Sequence, residues 1–468
     1  MKTDINKYIN EDAKNIYNMK TKDNSIKKEI GLSEEIIRNI SKEKGEPSWV
    51  LDIRLKALKF YNELKYPTWG PNLSMLDLDK IATYIKPKTK MSDKWEDVPD
   101  DIKNVFDALG IPEAEKKSLS GSGAQYDSEM IYHKVSDKLK DLGVIYENFD
   151  DAIKKYPDLV KKYFTKAVYL NDHKFISLHY ALFSGGSFVY IPKGVKLSDP
   201  LQSYFRLNSP GAGQFEHTLI VVEDDAEVKF IEGCSAPGYN EINLHAGCVE
   251  LFVGENAKLN FSTIENWSKN MLNLNTKKAI VEKNGSIEWV MGSFGSKISM
   301  LYPMTILNGE NAKCEFTNIS FAGKGQNLDT GIKVIHNAPN TKTYVNAKSI
   351  SKDSGICTFR SNVVVKKYAR KSSVSLSCES LMLDSKSKSD TIPVNTIETD
   401  DVIFSHEAKI GKISDDTIFY LMSRGISEED AKGLIVRGFA EPISKSFPVE
   451  YAVEMNRLID LELEGTIG

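Results

Sequence analysis

Between Asp225 and Phe316 the chain writes one short phrase four times: a small or acidic residue, then Ala or Gly, then alternating polar and apolar residues closing on an aromatic. The copies are Asp225 to Phe230, Asn256 to Phe261, Asn284 to Trp289 and Asn311 to Phe316. Their second residues, Ala226, Ala257, Gly285 and Ala312, are spaced 31, 28 and 27 residues apart. Period two within each copy puts Val228, Leu259, Ile287 and Cys314 on the same side as Phe230, Phe261, Trp289 and Phe316. A unit of this length cannot bury its apolar face alone. Stacked in parallel, the units fill the inside of a β-helix.

With 468 residues, 41% hydrophobic and 27% charged, the chain has the composition of a folded protein with a large core. Lys+Arg 61 against Asp+Glu 65 leaves a net charge of −4, with no basic excess to neutralise a phosphate backbone, so nucleic acid is not an expected partner. Met1 to Lys7 carries no apolar signal region, and no apolar run approaches the roughly 20 residues needed to cross a bilayer. A cytoplasmic protein without a membrane partner is expected. The five cysteines, Cys234, Cys248, Cys314, Cys357 and Cys378, form no CxxC pair. That spacing argues against a disulfide framework or structural zinc ribbon and leaves single-thiol chemistry.

Before the β region the patterns are mainly helical. Ser33 is positioned to cap a helix over Glu34 to Ile40, and Ser48 a longer one carrying Trp49, Ile53, Ala57 and Phe60 on one face, limited by Pro67. Lys86 to Lys90 reads as an exposed connector, Asp100 to Leu109 and Asp150 to Phe164 as helices, and Ser120 to Gly123 as a flexible link. From Phe188 β-branched and aromatic alternation takes over and runs, more weakly spelled, to Phe404. Past Lys412 helix signals return: Ser414 opens one, Ser427 to Asp430 resembles a capping box, and Glu450 to Leu463 forms a third.

The repeat sorts the cysteines. Cys314 aligns with Val228, Leu259 and Ile287, which makes it core packing. Cys234 aligns with Glu265, Ser293 and Ser320, a polar register in which a thiol can be held as a sulfur-accepting thiolate; the alternative is a small inert hydrophobe. Thr263 falls on the inward side together with Glu232 and Asn318, predicting a polar track inside the solenoid unless the chain bends after Phe261. Cys378-Glu379 and His406-Glu407 lie nearly one repeat apart and can be neighbours on adjacent coils. Their thiol, imidazole and carboxylate are metal ligands suited to iron or an iron–sulfur cluster, too few for a permanent one, against the alternative of a surface His-Glu pair and a packed Cys. No GxxxxGK[ST], GxSxG, HExxH or EF-hand pattern occurs, so the chain is not expected to hydrolyse ATP or act as an enzyme by itself.

Several longer stretches spell a family. Gly45-Glu46-Pro47-Ser48-Trp49 with Arg54 to Ala57, Gly186 to Val195, Tyr204 to Asn208 with Gly213 to Glu216, Glu232 to Pro237, Glu265-Asn266-Trp267, Asp329-Thr330-Gly331, His406-Glu407-Ala408 and Arg424 to Glu429 resemble the SufB/SufD family, and its SufB branch in particular. The resemblance implies a scaffold for iron–sulfur cluster assembly, mainly β with flanking helices: a right-handed parallel β-helix core (166–411) between an N-terminal helical or mixed domain (1–165) and a C-terminal helical domain (412–468). It further implies that Cys234 accepts persulfide sulfur from a cysteine desulfurase or its relay protein, that Arg206, Asn208, Glu216 and Thr263 line the sulfur path, and that Cys378, Glu407 and His406 hold a transient iron–sulfur cluster at an interface with SufD or a second SufB. The tail from about Lys412 to Pro448 would dock the SufC ATPase, and a reduced flavin is a candidate reductant. A second cysteine that many relatives carry soon after the one matching Cys378 is absent from Asp384 to Asp390, and another falls at Ala440. Two rival readings are a β-helix polysaccharide lyase or hydrolase, which calls for secretion and an exposed cleft, and a solenoid that only binds partners, like SufD.

Overall fold

The computed structural model describes residues 18–20, 25–100, 102–104, 121–447 and 449–463. Its centre is a parallel β-solenoid with two walls. One wall is a ten-stranded sheet running, from one end to the other, through Val402–Lys412, Ser372–Met382, Lys342–Ser351, Lys313–Ala322, Ser286–Phe294, Lys258–Asn266, Glu227–Ser235, Leu201–Arg206, Gly121–Tyr126 and Glu129–Val135. All neighbours pair in parallel except the last two strands, which form an antiparallel hairpin at the end of the stack. The opposite wall includes Gly186–Ile191, His217–Val222, Cys248–Val253, Thr276–Val281, Asn327–His336, Ile356–Val365 and Lys388–Ile397.

The four phrases stack in the expected register: Val228, Leu259, Ile287 and Cys314 form one column, and Phe230, Phe261, Trp289 and Phe316 the next. Both columns are buried in the central cluster. Phe230 and Phe261 stack with centroids 5.6 Å apart, and Phe261 meets Trp289 edge-on at 5.4 Å, each such pair adding about 0.5–1.5 kcal/mol beyond area burial. The opening residue of each phrase has a structural reason. Asp225, Asn256, Asn284 and Asn311 sit at φ of 58°, 57°, 56° and 61°, a left-handed conformation that Asn and Asp tolerate best after Gly. Their side chains form a ladder: Asn256 donates to Asp225 (3.0 Å), Asn284 to Asn256 (2.8 Å) and Asn311 to Asn284 (2.9 Å).

Helices cover the walls from outside. Glu34–Lys44 is capped by Ser33, which accepts from the Ile36 amide, and closed by Gly45 at φ 60°. In Ser48–Glu63 the cap is Pro47 and Ser48 is the first helical residue, so the expected Ser48 cap is not made. Arg54, fully buried in that helix, ties the layer together. It meets both Glu46 oxygens (2.8 and 2.5 Å) and the carbonyls of Ala181 and Phe183 (3.1 and 2.8 Å). The expected helix over 150–164 is two, Phe149–Lys155 and Pro157–Tyr163, because Pro157 cannot continue the first and instead starts the second. The tail helices Asp415–Ser423 and Glu428–Ser444 are capped by Ser414 and Ser427. They pack with Val449–Leu463 on the outer residues Ile231, Ile264, Val290 and Phe294 of the first wall.

Part of each of two expected loops is strand. Lys86 and Pro87 end Ala82–Pro87, which pairs antiparallel with Ser25–Ile30. Gly121 to Gly123 open a buried strand, and a Cβ at Gly121 would stand 2.9 Å from the Tyr146 ring and one at Gly123 2.9 Å from the Tyr146 hydroxyl. These glycines permit close packing, not flexibility. Ser120 and most of the helix expected at 100–109 lie outside the described residues. No described helix is long and apolar enough to cross a membrane.

Candidate functional site

Alternation along the first wall sends two neighbouring columns into the lumen. One reads Ser203, Glu232, Thr263, Met291, Asn318, Ala347, Cys378; the other reads Phe205, Cys234, Glu265, Ser293, Ser320, Ser349, Ser380. Cys234 is 1% exposed and packs beside Phe205, Trp267 and Met271. Around it both walls contribute charge. Thr263 donates to Glu232 (3.2 Å), which also takes the Lys277 ammonium from the opposite wall. Asn273 donates to Glu265 (2.7 Å) and meets His245 Nδ1 through its oxygen (2.7 Å), and His245 Nε2 meets Glu216 at 2.5 Å.

Burial and the carboxylates of Glu232, Glu216 and Glu265 push the Cys234 thiol well above its ordinary range, with Lys277 opposing them. The polar register therefore does not by itself favour the thiolate: the site is buried and its near charges are mostly negative. Burial also raises Glu265. Burial alone would lower Lys277 and His245, but Glu232 and Glu265 outweigh it at Lys277, as Glu216 does at His245, and both are raised.

From this cluster the second column continues in hydroxyls, Ser293, Ser320, Ser349 and Ser380, the last two 2.7 Å apart. At its far end Cys378 faces the lumen between Ala347 and Ala408, and burial raises its thiol to about 12. His406 pairs with Leu376 on the same inner side, a diagonal neighbour of Cys378 at a Cα distance of about 7–8 Å. Its Nε2 is buried without a hydrogen-bond partner. Glu407 points the other way, where its side chain is 63% exposed and paired with Lys409 at 2.9 Å. Thus the structure brings Cys378 and His406 together and leaves Glu407 on the outer face. The stack ends here in two strands, Val402–Lys412, which carries His406, and Lys388–Ile397, and among the described residues each has a neighbour on one side only. Ile403, Val394 and Ile397 on these edges are 75%, 50% and 42% exposed.

Of the expected path residues, Cys234, Glu216 and Thr263 meet in the lumen cluster. Arg206 belongs to the outward column with Ser235 and Asn266. There it donates to Ser235 Oγ and to the Met19 carbonyl, both at 2.9 Å. Asn208, past the strand end, donates its backbone amide to Asp127 (2.7 Å), and its carbonyl accepts from the Tyr239 hydroxyl.

Residues 205–439 match the family model of the SUF system FeS cluster assembly SufBD core domain, and residues 117–203 that of the SufBD protein N-terminal region. Iron-sulfur cluster assembly SufBD family proteins of Staphylococcus haemolyticus, Staphylococcus saprophyticus and Staphylococcus aureus are each 49% identical to the chain over 440 residues, covering 94% of it and 95% of the relative. The chain belongs to the SufBD family. Its role is in iron–sulfur cluster assembly. Every lumen residue named above from Phe205 onward, and the Cys378 end, falls within the SufBD core match. Lys277, His245 and Asn273 are SufBD core residues that the repeat did not single out. Lys277 stands in Thr276-Lys277-Lys278, which reads as a solvent face, and His245 and Asn273 lie on three-residue strands too short to show a period.

Proposed function

We propose that this SufBD protein is a SufB-type scaffold, not an enzyme in its own right, that accepts sulfane sulfur at Cys234 and builds a transient iron–sulfur cluster at the Cys378 end. One observation carries the reading: both cysteines face the same lumen, joined by the inward column Glu265, Ser293, Ser320, Ser349, Ser380. Five strand steps separate their coils, about 24 Å at about 4.8 Å per step. In the first reaction Cys234 loses its proton to a neighbouring carboxylate and attacks the outer sulfur of a persulfide on a cysteine desulfurase or relay protein, whose own cysteine leaves as thiolate. Glu265, its register partner, is the base this geometry favours. Its Oε1 has no hydrogen-bond partner, and its raised proton affinity brings it closer to the thiol's own.

Cys378 and His406 then supply a thiolate and an imidazole to the cluster. Glu407 joins only if the last strand rearranges on pairing with SufD or a second copy. The partner is favoured by the unpaired apolar edge, which a protein does not leave uncovered without hazard. SufC would dock on the tail, where Phe419 and Tyr420 of Asp415–Ser423 are exposed, and supply the ATP hydrolysis. A reduced flavin is a candidate electron source, and five unpaired thiols suit the cytoplasm.

The test is anaerobic reconstitution of the complex with SufC and SufD, using iron, sulfide and reductant, read by visible absorption and Mössbauer spectra beside Cys378→Ala. Cluster signal lost in the variant supports the scaffold. Signal equal in both, or none in a correctly assembled complex, moves the protein to a SufD-like, partner-binding role.

A further inference from the structure

A second thiol–imidazole cluster lies outside the lumen, between the helix Lys174–Leu182 and the outer face of the wall it covers. His217 and Cys248 are register partners on adjacent strands, and His179 reaches them from the helix. One ligand atom from each can be chosen so that all three lie within 4.8 Å of one another, and all three residues are buried. The rings of Phe149, Phe164, Phe183 and Tyr180 surround His217, so water does not compete for the site.

Proton counting shows what the cluster lacks. His179 Nδ1 lies 2.8 Å from the Ala246 carbonyl, which only accepts, so that nitrogen carries the proton and Nε2 presents a lone pair. That lone pair faces His217 Nδ1 at 3.0 Å. On its other side His217 Nε2 lies 3.3 Å from Glu250 Oε2, without hydrogen-bond alignment. Glu250 is itself fixed by the amides of Thr165, Ala167 and Val168 at 2.8–2.9 Å. A neutral His217 has one proton for two acceptors. The cluster is one positive charge short.

We infer that His179 Nε2, His217 Nδ1 and Cys248 Sγ bind a borderline divalent cation of the zinc type, with Glu250 as the carboxylate that orients His217. The ion takes the place of the missing proton between the rings, and His217 Nε2–H then donates to Glu250, the carboxylate–histidine–metal arrangement of many zinc sites. Cys248 exchanges its S–H bond for an S–metal bond, the proton leaves to solvent, and no electron moves. Two neutral imidazoles, one thiolate, one carboxylate and a dication sum to zero, which suits a dry site. In a tetrahedron with bonds of about 2.0–2.3 Å the ligand atoms stand about 3.3–3.7 Å apart, so the two ring nitrogens, now at 3.0 Å, spread slightly and the thiol closes on the ion from within 4.8 Å. The ion would staple one helix of the N-terminal layer to two successive coils. The inference is independent of the scaffold reading, because neither Cys234 nor Cys378 takes part.

A buried site loads as the chain folds, so the full-length protein is isolated from zinc-supplemented medium and its metal content measured by mass spectrometry. Alongside it, the Cys234→Ala/Cys378→Ala protein is refolded anaerobically with Co2+ and its thiolate-to-cobalt charge-transfer band recorded. We expect about one equivalent of metal, removed by His179→Gln or Cys248→Ser, and a cobalt band lost with Cys248→Ser. We also expect a fall in the wild-type melting midpoint of roughly 5 °C or more after denaturing with a strong chelator and refolding; this arm needs no variant to fold. Wild-type protein without metal and indifferent to chelator overturns the inference and makes the missing charge a proton. Metal fully retained in a folded Cys248→Ser protein also overturns it.

Discussion

Replacing Lys277 with Met should strand a buried carboxylate in the lumen and cost on the order of 3–5 kcal/mol of stability. Lys277 and its partner Glu232 have side chains 0% and 1% exposed, so no water moves in to solvate the carboxylate left behind. Removing one member of a buried pair typically costs about 3–5 kcal/mol. The ammonium also stands over the Phe261 ring at 4.9 Å, a contact worth up to about 2 kcal/mol that Met replaces only partly. An unfolding entropy of about 2.1 cal/mol/K per residue over 468 residues comes to about 1 kcal/mol/K. Lys277→Met should therefore melt about 3–5 °C below wild type in calorimetry. Adding Glu232→Gln removes the stranded charge, and the double variant should recover more than half of the loss, a coupling a double-mutant cycle reads directly. The variant also takes away the cation that opposes the rise of the Cys234 thiol, so persulfide acceptance should slow even when corrected for folded fraction. A Lys277→Met protein that melts within about 1 °C of wild type, or a double variant no more stable than the single one, would refute the reasoning.

Three further outcomes follow from local features. Glu462, 2% exposed at the tail, has its carboxyl raised by burial from 4.5 to about 7; the protonated form is favoured by the fold, so its contribution is present below pH 4.5 and lost as pH rises through about 7. Glu462→Gln should leave stability flatter over that window and gain on the order of 3 kcal/mol over wild type at pH 8, read by urea unfolding across pH. Asn284→Ala forces a Cβ-bearing residue without a compensating side chain into φ 56° and breaks two rungs of the ladder, which should cost about 1–2 kcal/mol, with Asn284→Gly losing less. Ile403→Lys, on the exposed last strand, should leave the monomer's melting unchanged while weakening assembly with SufD or a second copy at least tenfold, measured by light scattering after size exclusion.

The solenoid was legible because its signal is repeated: period two plus a shared corner residue fixes register in every coil, and with it the inward side of Cys314, Thr263 and Cys234. What was hidden is what depends on the opposite wall. Lys277 sits beside another lysine, and nothing in its neighbours says that a wall carrying Glu232 faces it. The same holds for His179, His217 and Cys248, which stand 38 and 31 residues apart and meet only because a helix folds back over two coils. Arg206 and Cys234 belong to two stretches of family resemblance on paired strands, yet strand alternation sends them to opposite faces. The family resemblance groups Glu407 with Cys378, and the same alternation places it on the outer face. Ser120 to Gly123 has the composition of a linker; the Tyr146 side chain, which crowds both Gly121 and Gly123, explains why the buried strand from Gly121 needs glycine there.

The left-handed corner with its amide ladder makes each coil a module with interchangeable ends. Asn284 and Asn311 share the left-handed backbone, and each donates its side-chain amide to the corner residue of the preceding coil, so a chain cut before one can be rejoined before the other without a new turn. Residues 284–310 could then be removed, or duplicated, as a unit. The distance between the two lumen cysteines is for that reason not a continuous variable: it changes in steps of one strand spacing, about 4.8 Å. Any route along the serine column is thus built of whole rungs, and a relative with a longer or shorter passage should differ from this chain by entire coils.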